Sequence, residues 1–171
     1  MIRAALAAAT LLLGACASTA QKNPRPPETP AAPVSAAPRI PAPDQRTLMV
    51  DGATAMLGQP YRFGGAEPGG FDCSGLVFYA AAIAGIRVPR TAAEQLNFGV
   101  AVRRGDLQEG DLIFMNLAHK ELHVGLAIDR ERFIHAPSNG GHVRIDSLAA
   151  APYLKGFIGA RRVIPKASAG L

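Results

Sequence analysis

The chain has 171 residues, 49% of them apolar, enough for one folded domain with tails and a core of its own. Its formal charge of +5 is spread thinly: from residue 44 onward, 14 basic residues meet 12 acidic ones, so the folded part carries no basic footprint for nucleic acid. Arg103-Arg104 and Arg161-Arg162 are pairs rather than a patch and are expected in solvent.

The N-terminus reads as an export signal. Arg3 supplies a positive start, and the apolar run of ten residues from Ala4 to Leu13 is too short to span a bilayer as a helix. Leu13-Gly14-Ala15-Cys16 follows and resembles the bacterial lipobox. That resemblance implies removal of residues 1–15 and acylation of Cys16, for example by palmitate, giving a membrane anchor. The other reading is an ordinary signal peptide that happens to contain a cysteine. Ala17 is not aspartate, which in such lipoproteins implies sorting to the outer membrane, facing the periplasm.

Residues 16–43 form an Ala/Pro-rich tether. Eight of the fourteen prolines fall here, without helical or strand periodicity. Fully extended, the tether spans about 80 Å. The folded domain is expected over 44–165, and a flexible tail is expected over 166–171. A first helix is expected from Asp44 to about Leu57, closed by Gly58. Pro60 to Gly70 is rich in glycine and reads as a loop. Asp72 can cap a second, apolar helix that starts at Cys73 and ends at Gly85. Thr91-Ala92-Ala93-Glu94 fits a capping box that opens a short helix after Pro89.

From Gly110 the pattern turns to strands. Asp111 to Met115 reads as a buried strand. Leu122, Val124, Leu126 and Ile128 alternate, which predicts a half-buried strand with His123, Gly125 and Ala127 on its other face. The two small residues leave room there for another element to approach His123. Arg132 to Ala136, joined by a tight turn at Asp129-Arg130-Glu131, places Phe133 and His135 on one face. His142 to Ile145 and Phe157 to Ile164 are further strands. Helices first and strands afterward predict an α+β fold with helices packed on an antiparallel sheet.

The two cysteines have different prospects. If Cys16 carries lipid, Cys73 has no disulfide partner in an oxidising compartment, and an unpaired thiol there asks for a use. At a helix N-terminus the partial positive charge favours thiolate over thiol. The bland reading of Cys73 is a small core residue. A helix-start cysteine followed by strand histidines suits nucleophilic catalysis: Cys73 attacks a carbonyl, a histidine carries the proton, and a third polar group orients that histidine.

Six motifs occur in order: Pro60-Tyr61-Arg62-Phe63-Gly64-Gly65, Phe71-Asp72-Cys73-Ser74-Gly75-Leu76, Pro89-Arg90-Thr91, Gly110-Asp111-Leu112, His123-Val124-Gly125 and Phe133-Ile134-His135-Ala136-Pro137. Together they resemble the NlpC/P60 family from about Asp44 to Val163. The resemblance implies a papain-like fold and a cysteine peptidase acting on cell-wall peptides. It implies Cys73 as nucleophile, His123 as catalytic histidine and His135 as the third polar residue. Tyr61 is implied near the nucleophile, for substrate or oxyanion, with the Cys73 N–H as the other oxyanion donor. Asp72 and Ser74 are candidates for substrate contact, and Asp72 reads equally as a helix cap. The family's turn between the histidine strands has glycine; here it is Asp129-Arg130-Glu131-Arg132, which leaves the turn geometry open.

The implied substrate is a peptidoglycan stem peptide or cross-link, at the γ-D-glutamyl–diaminopimelate bond or the diaminopimelate–D-alanine bond. No cofactor is called for, and a monomer is expected. His119 and His142 fall outside the motifs and read as surface residues. His119 and His123 are four apart, but along a strand that is roughly 13 Å, too far to share a metal ion. Two other classes would leave a mark in the sequence: a non-catalytic wall-binding lipoprotein would have lost the nucleophile, and a thiol acyltransferase would show a long apolar insertion. Neither feature is present.

Overall fold

The structure, a computed structural model, describes residues 44–117, 121–139 and 141–164. The signal segment, Cys16, the tether, His119 and the tail 166–171 lie outside the described residues.

Asp44 starts the first helix, α1 (Gln45–Thr54), by accepting from the N–H groups of Arg46 and Thr47. This satisfies donors that have no intrahelical acceptor. The helix ends earlier than the sequence pattern suggests: residues 55–58 continue as turns, closed at Gly58 with φ 79°. A two-residue hairpin, β1 (Ala66–Glu67) with β2 (Gly70–Phe71), forms within the stretch expected to be loop. Asp72 then caps α2 (Cys73–Ile83) through the Gly75 N–H, and Gly85 follows in the left-handed region with φ 72°. The capping box of Thr91 and Glu94 opens α3 (Ala92–Leu96).

A six-stranded antiparallel sheet follows. In chain order it comprises β3 (Val100–Val102), β4 (Leu112–Asn116), β5 (Leu122–Ala127), β6 (Arg132–His135), β7 (Arg144–Ser147) and β8 (Phe157–Arg162). Its spatial order is β3-β8-β4-β5-β6-β7. The structure adds β3 and a short helix, α4 (Ala151–Gly156), neither of which periodicity revealed. Both are too short for an amphipathic pattern.

Two layers of side chains cover the sheet. On one face Leu112, Phe114, Val124, Leu126 and Ile134 pack with Leu76, Val77 and Ala80 of α2 and Met49 of α1. On the other, Ile113, Met115, Ala127 and Phe133 pack with Leu107, Leu148 and Tyr153 of α4. Fully burying each of the Val, Leu, Ile, Met and Phe side chains among them contributes roughly 1.5–3 kcal/mol. The expectation that β5 is half-buried is therefore corrected: from His123 to Ala127 every residue is buried. The small residues on its second face do not front solvent, because Phe133 and α4 close over them.

The β5–β6 turn is built without glycine. Asp129 Oδ1 accepts from the N–H groups of Glu131 at 2.8 Å and Arg132 at 2.7 Å, a local bond that sets the reversal. The expectation for Arg161-Arg162 is also corrected. Arg162 reaches fully buried Asp111, with contacts of 2.8 and 2.7 Å, and Arg161 donates to the Leu96 carbonyl.

Candidate active site

Cys73 is the first residue of α2, half-buried and in no disulfide. At the first helical position its N–H has no intrahelical acceptor. The helix begins here because Asp72 caps it through the Gly75 N–H. Asp72 Oδ1 accepts from Gly75 N at 2.6 Å, Ser74 Oγ at 3.1 Å and Arg90 Nη1 at 3.0 Å. Its Oδ2 accepts from Gly64 N at 3.0 Å and Arg90 Nη2 at 2.8 Å. Burial disfavours the Asp72 carboxylate, yet these donors overcome it, and its pKa lies below the ordinary value. The cap reading of Asp72 thus describes its contacts, and Ser74 belongs to the same knot, accepting from Arg90.

Gly75 is needed at this junction: a Cβ there would run into the Gly65 carbonyl. That close approach brings the Tyr61–Gly65 segment against the first turn of α2. Tyr61 and Cys73 both pack against the same core cluster. Burial raises its phenol pKa, and the charges of Cys73, Asp72 and Glu121 add to the effect, so Tyr61 keeps its proton and can donate it to an oxygen. Phe63, two residues on, is 90% exposed on the same segment.

Burial pushes the Cys73 thiol above its ordinary pKa, and the negative charges of Asp72 and Glu121 push the same way. The backbone N–H groups of Val124 and Ser74 act against this and do not prevail. The expectation of a resting thiolate is corrected: removal from water outweighs the helix terminus, and the resting group is the thiol.

His123 and His135 come together as neighbours on β5 and β6. His123 Nε2 and His135 Nδ1 are 2.8 Å apart, with the rings nearly perpendicular at 85°. His123 is 4% exposed and His135 wholly buried. Burial, then the positive charge of His135 and Arg144, takes the His123 pKa down to about 3. His135 is taken down to about 4, burial outweighing the nearby Asp146 carboxylate. Both rings are neutral at neutral pH. With Nε2 engaged by His135, Nδ1 is the nitrogen of His123 left outside that contact.

Sequence reasoning missed what lies behind His135. Asp146 Oδ2 is 2.9 Å from His135 Nε2, and Arg144 and Tyr153 gather on the same carboxylate. The only signal was strand parity on β7, which places Arg144 and Asp146 on one face. The motif Pro89-Arg90-Thr91 gives no sign that Arg90 holds Asp72. Gln95, fully buried, donates to the carbonyls of Ser74 at 3.1 Å and Pro89 at 2.8 Å, tying α3 to α2. His142 is exposed and only bridges to Pro60.

A cysteine at the head of a buried helix, packed on an antiparallel sheet that carries a backed histidine, is the arrangement of a papain-like thiol hydrolase. The chain belongs to the NlpC/P60 family, whose profile matches residues 58–162. It is similar to the murein DD-endopeptidase MepH of Escherichia coli K12, 40% identical over 114 residues, covering 63% of this chain and 42% of that protein. It is similar to a γ-D-glutamyl-L-lysine dipeptidyl-peptidase of Bacillus cereus, 37% identical over 131 residues, covering 74% of this chain and 38% of that one. Among solved structures, an NlpC/P60 family protein from Bacillus cereus superposes with a TM-score of 0.66 at 35% identity, covering 74% of this chain and 42% of the other. The chain spans less than half the length of each of these relatives.

Proposed function

We propose that this protein is a cysteine-type peptidoglycan endopeptidase that hydrolyses amide bonds of stem peptides or cross-links. The observation that carries the reading is the His123–His135 pair, at 2.8 Å, on the sheet packed against the helix that starts with Cys73. As the Cys73 sulfur attacks the substrate carbonyl carbon, its proton passes to His123 Nδ1. The tetrahedral oxyanion accepts from the Cys73 N–H and from the Tyr61 hydroxyl. His123 then returns the proton to the leaving amine as the C–N bond breaks, and the remaining acyl-thioester is cleaved by water with His123 again as base. Asp72 and Ser74 serve by fixing the first turn of α2 to Arg90 and the Tyr61 segment.

The substrate class follows from relatives named for murein and for γ-D-glutamyl peptides. The scissile bond is placed at γ-D-glutamyl–diaminopimelate or at diaminopimelate–D-alanine. Digestion of purified sacculi by the folded domain, followed by mass analysis of the fragments, distinguishes the two. Cys73→Ser is expected to abolish release while leaving the fold intact, because a hydroxyl is far harder to deprotonate in the same site. Serine-variant turnover near wild type would remove Cys73 from the role, and intact sacculi with the wild-type protein would overturn the reading.

An envelope location accords with this substrate. Within it, acylation of Cys16 would make the protein an outer-membrane lipoprotein with its catalytic domain on a periplasmic tether. Cys16→Ala is then expected in the soluble fraction, and continued membrane retention counts against the anchor.

A further inference from the structure

Three groups converge on one carboxylate oxygen behind the histidine pair. Asp146 Oδ2 lies 2.9 Å from His135 Nε2, 2.9 Å from Arg144 Nε and 2.6 Å from the Tyr153 hydroxyl. The β6–β7 register sets Asp146 opposite Phe133 and Arg144 opposite His135, so all four share the face on which His123 stands. Tyr153 reaches them from α4, edge-on to His135 at 5.5 Å and to Phe133 at 5.0 Å. The cluster therefore joins three strands and a helix around one buried imidazole.

We propose that Asp146, held by Arg144 and Tyr153, is a positioning residue that fixes the tautomers of both histidines and so leaves Nδ1 of His123 bare toward Cys73. The proposal rests on the reading of His123 as the base for Cys73.

Arg144 can only donate, so the atom it meets on Asp146 must be an acceptor. An ionised carboxylate cannot donate, so the hydrogen between Asp146 and His135 sits on His135 Nε2. Burial opposes ionisation of Asp146, but the donors Tyr153, Arg144 and His135 overcome it and hold its pKa at about 2. A neutral imidazole carries one N–H, so Nδ1 of His135 is bare. At 2.8 Å from His123 Nε2 it must accept, which places the hydrogen of His123 on Nε2. His123 Nδ1 is then the lone pair that takes the thiol proton.

Remove the acceptor and the order can reverse. His135 can then carry its hydrogen on Nδ1 and donate to His123 Nε2. His123 would turn an N–H toward the sulfur and could not act as a base. Asparagine should serve almost as well as aspartate, because Arg144 demands an oxygen at the shared position and so orients the amide carbonyl toward His135. Alanine offers nothing.

The test uses long-range proton–nitrogen spectra of histidine-labelled protein, together with the rate at which iodoacetamide alkylates Cys73. In that reaction the S–C bond forms, iodide leaves and the thiol proton goes to His123, so it needs no peptidoglycan. The wild type is expected to show both rings as Nε2–H tautomers. Asp146→Ala should lose that assignment, with alkylation slower by about tenfold and kcat on sacculi lower by about a hundredfold, the scale of a general base, at little change in KM. Asp146→Asn should keep the tautomers and stay within a few-fold of wild type. A wild-type His123 protonated on Nδ1 overturns the proposal whether or not the alanine variant folds. So does a folded Asp146→Ala protein with unchanged tautomers and alkylation. If the wild type shows the predicted tautomers, and alkylation follows Asp146, but sacculi stay intact, the peptidase reading fails and the proton assignment stands.

Discussion

Gly125 lies beneath the ring of Phe133: a Cβ on it would stand 2.5 Å from Phe133 Cδ2 and 3.1 Å from the Ile134 carbonyl oxygen. The Phe133 ring in turn lies 4.6 Å from the ring of His135 and 5.0 Å from that of Tyr153. The small residue on β5 thus sets the height of an aromatic wall that holds the second histidine in place.

Gly125→Ala is therefore expected to lift Phe133 and disturb His135 without touching any polar group. Overpacking of this kind costs about 1–3 kcal/mol, read as a lower urea midpoint. On sacculi, kcat should fall more than KM rises, since the displaced group orients a proton carrier. An unchanged midpoint and unchanged kcat would mean that Phe133 does not position His135.

A second prediction concerns pH. In the unfolded chain the two histidines titrate near 6.5, but the folded values are about 3 for His123 and about 4 for His135. Below pH ~6.5 the unfolded state therefore binds protons that the native state refuses. Stability from this source is full above that pH and is lost progressively as the pH falls toward the folded values. Urea midpoints should drop between about pH 7 and about pH 5, with His135→Asn showing a shallower drop. The acid limb of kcat/KM should lie well below 6.5, because His123 stays bare. A limb at 6.5 would return His123 to an ordinary, solvated histidine.

The helix starts were legible because capping is local chemistry: Asp44, Asp72 and Thr91 each accept from backbone within three residues. The histidine pair was legible because strand parity put Phe133 with His135 and His123 with Gly125 on definite faces. The burial of β5 on both faces was not, since the cover comes from Tyr153 on a six-residue helix too short to announce itself. Asp146 was illegible for a related reason. It sits on an edge strand in the alternation Arg144, Ile145, Asp146, Ser147, which reads as a solvated edge until the β6–β7 register turns one face inward. The resting thiol was missed because a helix terminus is visible in sequence and desolvation is not. The bidentate hold of Arg90 on Asp72 was illegible because it needs the chain to fold back across eighteen residues.

The last prediction is an ordering: His135→Asn keeps more activity than His135→Ala, and both keep more than His123→Ala. His123 must take the proton of Cys73 and hand it to the leaving amine. Alanine has nothing to offer there, and the loss should reach about a thousandfold or more. His135 does a different job. Its Nδ1 accepts from His123 Nε2 and its Nε2 donates to Asp146, so it transmits an orientation without carrying the thiol proton. Asparagine has both functions, a carbonyl to accept from His123 and an amide to donate to Asp146, on a shorter side chain. Alanine has neither. It frees the His123 ring to rotate, leaves Asp146 without its imidazole partner and opens space beside Phe133 and Tyr153. The expected loss for alanine is about tenfold to a thousandfold, set by how often His123 still finds the productive rotamer. Initial rates on sacculi, with each variant checked by circular dichroism and urea unfolding, give the comparison. A folded His135→Ala protein as inactive as His123→Ala would show that His135 shares the proton itself, and an active His123→Ala protein would move the base elsewhere.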